Sequence, residues 1–199
     1  MRNLQKWLIM AAAAMAMASI PHAAMAQLSS NVGTVVLNAT LTESLTVSVT
    51  AGNTVNFALT PNTAANAGST TSTIQTAWIL SSGRTAVSVW AWVPNGAAAL
   101  NDGAAGDVIP ASAVTAAAAG SGAAGGALNN VTSGGAGVPA FITPAAATGV
   151  KIGQVAIGAG NRVANTTTTL TWNINTTGIP QLPAAAYTGT VNIQAQATP

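Results

Sequence analysis

The chain has 199 residues but only five Lys or Arg, three Asp or Glu, one His and no Cys. Thiolate chemistry is therefore excluded outright, and so few cations cannot supply the phosphate-neutralising patch that nucleic-acid binding requires.

At the N-terminus, Arg2 and Lys6 precede an uncharged apolar stretch from Leu8 to Ile20, which is too short to span a bilayer. Pro21 and the small-x-small run Ala24-Met25-Ala26 follow. This is the layout of a secretory signal peptide cleaved before Gln27, so residues 1–26 are expected to be removed during Gram-negative-type export through the periplasm to the cell surface. All five Met and the single histidine, His22, leave with it. The remaining 173 residues form one domain, 27–199, large enough for a core without disulfides. Its cations Arg84, Lys151 and Arg162 balance its anions Glu43, Asp102 and Asp107. A net charge near zero removes the self-repulsion that keeps copies apart, and self-association is expected. Nothing in the mature chain would grip anionic lipid.

Two-residue alternation, which sends successive side chains to opposite faces of a sheet, runs along most of the chain. Val35, Leu37, Ala39 and Leu41 share one parity and predict a first strand. Leu45, Val47 and Val49 continue it after a bend near Thr42–Ser44, where Glu43 would otherwise be a costly buried carboxylate. After Gly52-Asn53, Val55, Phe57 and Leu59 predict a strand ending at Pro61, followed by a polar loop over 62–71. Ile74 to Leu80 and Thr85 to Val93, joined by Ser82-Gly83, read as a hairpin. Residues 95–149 are rich in Ala, Gly, Ser and Asn and read as a long loop insertion, with small apolar islands at Val108-Ile109, Leu128, Val131 and Phe141-Ile142. Strands return at Val150–Gln154, Val155–Ile157, Thr166–Ile174 and Tyr187–Ala195. Roughly eight strands between Gly/Pro turns, with no amphipathic helix, predict an all-β antiparallel sandwich of Ig-like type; a closed barrel is the competing architecture.

Without His or Cys after residue 26, imidazole-activated nucleophiles and the common zinc sites are excluded, and the chain reads as a non-enzyme without a cofactor. The run from Asn101 through Asp102 to Asp107 has the Gly-rich, oxygen-bearing character of a calcium turn but lacks the EF-hand spacing, so a solvated turn is the preferred reading. Trp78 and Trp172 read as core. For Trp90 and Trp92, which share parity and would stand about 7 Å apart, core filling and exposed stacking on a surface glycan both stay open. With three carboxylates and no histidine, stability should vary little between pH 3 and 8.

The run Leu182-Pro183-Ala184-Ala185-Ala186-Tyr187-Thr188-Gly189-Thr190-Val191-Asn192-Ile193 resembles the closing strand of secreted bacterial pilin-like domains of the spore coat protein U and chaperone-usher groups. The chain lacks the cysteine pair common in those groups. The resemblance implies a cell-surface fimbrial subunit that polymerises when the N-terminal strand of one copy completes the sheet of the next, with a chaperone and usher or a surface glycan as candidate further partners. Val35, Leu37, Ala39 and Leu41 would be the side chains inserted. A secreted carbohydrate-binding or adhesin module using Trp90 and Trp92 is the alternative.

Overall fold

A computed structural model describes residues 33–103, 106–120, 122–136, 138–141, 146–179 and 181–199. The expected signal peptide lies outside the described residues. The chain divides into two units, Met1–Thr40 and Leu41–Pro199. In the first, Gly33–Thr40 forms neither helix nor strand, and Val35 and Leu37 are 81% and 89% exposed. The strand expected over Val35–Leu41 is thus not formed. Alternation supplies a face, but a strand exists only in a ladder with a neighbour.

The second unit is all β. In chain order its strands are β1 (Ser44–Ala51), β2 (Asn66–Ala67), β3 (Ser72–Ile79), β4 (Ala86–Val93), β5 (Leu100–Asn101), β6 (Val108–Ile109), β7 (Val114–Gly120), β8 (Gly125–Ala127), β9 (Val131–Thr132), β10 (Thr148–Ala156), β11 (Val163–Ile174) and β12 (Asn192–Thr198). One sheet runs β1-β3-β11-β7-β8, with β2 on the end of β11; the second runs β12-β4-β10-β9; β5 and β6 pair separately. All these pairings are antiparallel. The core lies between the two main sheets, where Ile74, Val114, Leu170, Trp172 and Ile174 of the first meet Val89, Ala91, Val93, Val150 and Ile152 of the second. Trp78 and Trp172 are buried as expected, and each indole N–H has an acceptor: the Asn161 carbonyl at 2.8 Å and Ser72 Oγ at 2.8 Å.

Four expectations are corrected. First, β3 and β4 are not a hairpin but belong to different sheets. The link over 80–85 crosses the sandwich because both edges of β4 are taken, by β10 and β12, and Thr85 bonds Thr198 and Ile157 rather than β3. Second, the 95–149 stretch is not simply loop. Ala116–Ala119 lies in β7, paired with β11, where Ala116 sits opposite Trp172 and gives the indole room. Third, Val55–Leu59 makes only an isolated bridge, Phe57 to Gly68, because side chains claim its backbone: Ser69 Oγ accepts from the Asn56 N–H at 3.1 Å and Asn66 Oδ1 from the Thr60 N–H at 2.7 Å. Fourth, the last strand starts at Asn192 rather than Tyr187. Thr188 instead exchanges backbone bonds with Asn101, and Gly189 passes so close to Ala99 that a Cβ would stand 2.0 Å from its carbonyl oxygen.

A buried polar knot fixes the 60–66 turn to the end of β11. Asn66 donates to the Ile174 carbonyl at 2.9 Å while accepting from Thr60, and Thr176 Oγ1 donates to the Thr60 carbonyl at 2.7 Å and accepts from the Thr63 N–H at 2.9 Å. Asn66→Ala would strand two backbone groups, each costing about 1–3 kcal/mol when buried and unpaired. The expected loss is about 2–4 kcal/mol in urea-unfolding free energy, against less than about 0.5 kcal/mol for the exposed Thr171→Ala.

Candidate partner-strand groove

The two sheets are closed on one side and open on the other. On the closed side the β7–β8 hairpin reaches across to β10, where Gln154 N–H donates to the Gly122 carbonyl at 2.9 Å and Ala124 N–H to the Ile152 carbonyl at 3.3 Å. Gly122 has φ +64°, and a Cβ there would stand 1.7 Å from the Gln154 carbonyl oxygen, so the crossing admits only glycine. On the open side stand β1 and β12. Each is the terminal strand of its sheet, they lie beside one another, and no ladder joins them.

Exposure along β1 records the opening. Its inward parity is Leu45, Val47 and Val49, and while the first two are half-buried, Val49 is 43% exposed. Every residue of β12 is half-buried, whichever way it points, because that end of its sheet lacks a full cover. Between the strands lies a cavity of about 250 Å³, walled by Val49, Val55, Val191 and Ile193 over a floor that includes Ile74 and Trp172. A wider trough of about 710 Å³ continues past Phe57 and Leu59 to Pro61 on one wall and Tyr187 on the other. The floor is positioned by a polar relay: Trp172 donates to Ser72 Oγ at 2.8 Å, and Ser72 donates to the Gly52 carbonyl at 2.6 Å. An apolar floor between two unpaired strand edges is the surface an extended peptide needs, with backbone bonds for affinity and pockets for alternate side chains.

The narrow end is held by charge. Glu43, immediately before β1, accepts from Arg84 Nη2 at 3.0 Å, from Arg84 Nε at 3.3 Å and from the Ser81 N–H at 2.6 Å. Arg84 also reaches the Ala197 carbonyl of β12 at 3.5 Å. One guanidinium therefore ties the start of β1 to the end of β12, and Glu43 is exposed rather than buried on the apolar face. The hydrogen bonds from Arg84 and then Ser81 lower the Glu43 carboxyl from an ordinary 4.5 to about 2.

The other residues singled out from the sequence fall elsewhere. Trp90 and Trp92 are 4% and 3% exposed, so they are not an open stacking platform; they lie on the outer face of β4 and are covered by Phe141. Asp102 and Asp107 flank the β5–β6 turn, where the Asp102 N–H donates to the Asp107 carbonyl at 3.3 Å. No group of three or more His, Cys, Asp or Glu among the described residues could hold a metal ion. Partial burial, with Asp107 and Asp102 nearby, raises the Tyr187 phenol. No helix among the described residues is long and apolar enough to cross a membrane. Sequence reasoning missed the Asn66–Thr176 knot and the Ser72 relay, since nothing marks a polar loop residue or a strand serine as a buried anchor. No family model, curated protein or solved structure matches the chain.

The Glu43 clasp sets the acid response. The unfolded carboxyl takes up its proton near pH 4.5 and the folded one only near 2, so the clasp contributes fully above 4.5 and is lost as pH falls through that window. Thermal midpoints should be flat from pH 8 to about 5 and fall between 4.5 and 2, a steeper acid limb than the small carboxylate count predicts. Glu43→Gln should lower the midpoint at pH 7 and flatten the limb, as read by circular dichroism melts at each pH.

Proposed function

We propose that this protein is a structural subunit of an extracellular filament or other cell-surface assembly, in which the N-terminal segment of one copy fills the groove between β1 and β12 of another. The observation that carries this reading is the pairing of a deficit with a surplus. The groove leaves core-grade residues such as Val49 and Ile193 part-exposed, and the same chain leaves Val35, Leu37, Ala39 and Leu41 exposed in a segment that forms neither helix nor strand.

The dimensions and chemistry agree. At about 3.3 Å per residue, a strand over 33–42 is as long as the eight residues of β1 with a margin at each end. Every residue of that segment is uncharged, so insertion would bury no ion. Export across the inner membrane by the Arg2–Ala26 signal, and delivery by a chaperone and usher, belong to the same proposal and rest on sequence alone. The reading involves no catalysis and no cofactor.

Protein lacking residues 27–42 should remain monomeric where the full-length protein forms ordered polymers in negative stain, and Ile193→Lys should block polymerisation from the groove side. A synthetic peptide of residues 33–42 at 100 times its Kd should stabilise the truncated protein by about 2.7 kcal/mol. Polymers of unchanged order from the truncated protein would defeat strand exchange.

A further inference from the structure

The few charges of residues 27–199 are sorted by end. Strand registers fix which end is which: Ser44 of β1 and Val163 of β11 both stand opposite Ile79 at the end of β3, and Ala86 at the start of β4 stands opposite Thr198 and Ala156. The Glu43–Arg84 clasp and Arg162, whose carbonyl accepts from the Leu80 N–H at 2.9 Å, therefore lie together at the narrow end of the groove. Glu43 is bound to Arg84 there, and Arg162 adds a second cation.

Two acids stand at the other end. β4 finishes there, and the chain goes on into β5, where Asn101 exchanges backbone bonds with Thr188 beside Tyr187. Asp102 and Asp107 flank the β5–β6 turn, close enough to raise the Tyr187 phenol, and Tyr187 walls the wide end of the trough. Lys151, the remaining cation, lies within β10 against the Trp90 ring and belongs to neither end.

The N-terminal segment would bring such ends together. Thr42 and Glu43 alone separate Leu41 from Ser44, the first residue of β1. Three residue steps of about 3.3 Å keep the start of β1 in the donating copy within about 10 Å of the groove mouth at which Leu41 emerges. That distance is comparable with the screening length of about 8 Å at physiological salt, so charges on the facing ends are felt. The donating copy arrives narrow end first, because its β1 starts there. Were Leu41 to emerge at the acceptor's narrow end, Arg162 of one copy would face Arg162 of the other, and the acceptor's own segment could swap back and close a pair. Emergence at the wide end sets Arg162 against Asp102 and Asp107 and leaves the acceptor's narrow end for the next copy.

We infer that successive copies dock end to end, the Arg162 end of each donating copy against the Asp102–Asp107 end of the copy whose groove it fills. This rests on the strand-exchange reading and adds to it a second contact and a direction. The inserted segment runs in the same sense as β1, with Leu41 toward Tyr187 and Val35 toward Arg84. The occupant of each end is a second copy, because the two ends are opposite in sign and every molecule carries both. Such a head-to-tail contact extends as an open filament.

The test follows polymerisation by light scattering for Arg162→Glu, for Asp102→Arg combined with Asp107→Arg, and for an equimolar mixture of the two. Like signs meet at every junction of either variant alone, whereas alternating copies in the mixture restore opposite signs throughout. At about 0.01 M salt each variant alone should polymerise at least about tenfold more slowly than wild type, and the mixture should return to within about twofold of it. Variants that keep pace with wild type, or a mixture no faster than its components, would overturn the docking contact, as would closed dimers in sedimentation velocity. Wild type itself should slow as salt is raised to about 0.5 M, and a rate that salt does not move also overturns it. Where a reversal does not fold by circular dichroism, Arg162→Gln and Asp102→Asn with Asp107→Asn replace it; a weaker salt dependence than wild type is expected, and an unchanged one counts against the contact. Binding of the 33–42 peptide to each protein lacking residues 27–42 separates the two readings. Peptide binding at wild-type affinity with polymerisation indifferent to the charges sinks the docking contact alone, whereas a peptide that binds none of the proteins, wild type included, removes strand exchange and the docking with it.

Discussion

The structure turns on a ladder that is not made. A β-sandwich closes its core by giving every inward side chain an opposite number, and here the last strand of each sheet, β1 and β12, reaches the same side of the core without pairing to anything across it. Directional contacts frame that gap. Arg84 and Glu43 pin the strands together at one end, the Asn66–Thr176 knot holds the 60–66 turn away at the other, and Ser72 braces Trp172 against Gly52 in the floor between. These are directional contacts with little freedom to slide, whereas the attraction of the apolar surface they frame is non-directional.

Electrostatics has a narrow but decisive share. In a chain with so few charges, Glu43 and Arg84 form an ion pair whose side chains are about one-third exposed. Exposed pairs contribute little in general. This one matters through position, because the Arg84 side chain bonds both strands that border the groove.

Alternation made the long strands legible. The patterns at Leu45–Val49, Ile74–Leu80, Thr85–Val93, Val150–Ile157 and Leu170–Ile174 all became strands. Period two says which way side chains point but not which sheet a strand joins, so the β3–β4 crossing was unreadable: β4 is buried on both faces, inward by the core and outward by Phe141. The same limit applies to Trp90 and Trp92, whose cover comes from a residue some fifty positions away in sequence. β7 was hidden for another reason. Its Ala-rich composition carries no β-propensity, and it is a strand because it pairs with β11 on one edge and β8 on the other, with the small Ala116 opposite Trp172. The segment around Leu37 showed the converse, a strong pattern without a local partner to make it a strand.

The stitched edge, where the β7–β8 hairpin bonds to β10, has a mechanical consequence. Backbone bonds along one margin and a gap along the other make the two sheets behave like the covers of a book joined at its spine. An inserted object of any thickness then changes the angle between them rather than the separation at the spine. Residues such as Ala116 and Ile152, which lie next to the binding, would feel almost none of that rotation, while Val49 and Ile193 at the fore-edge would feel nearly all of it.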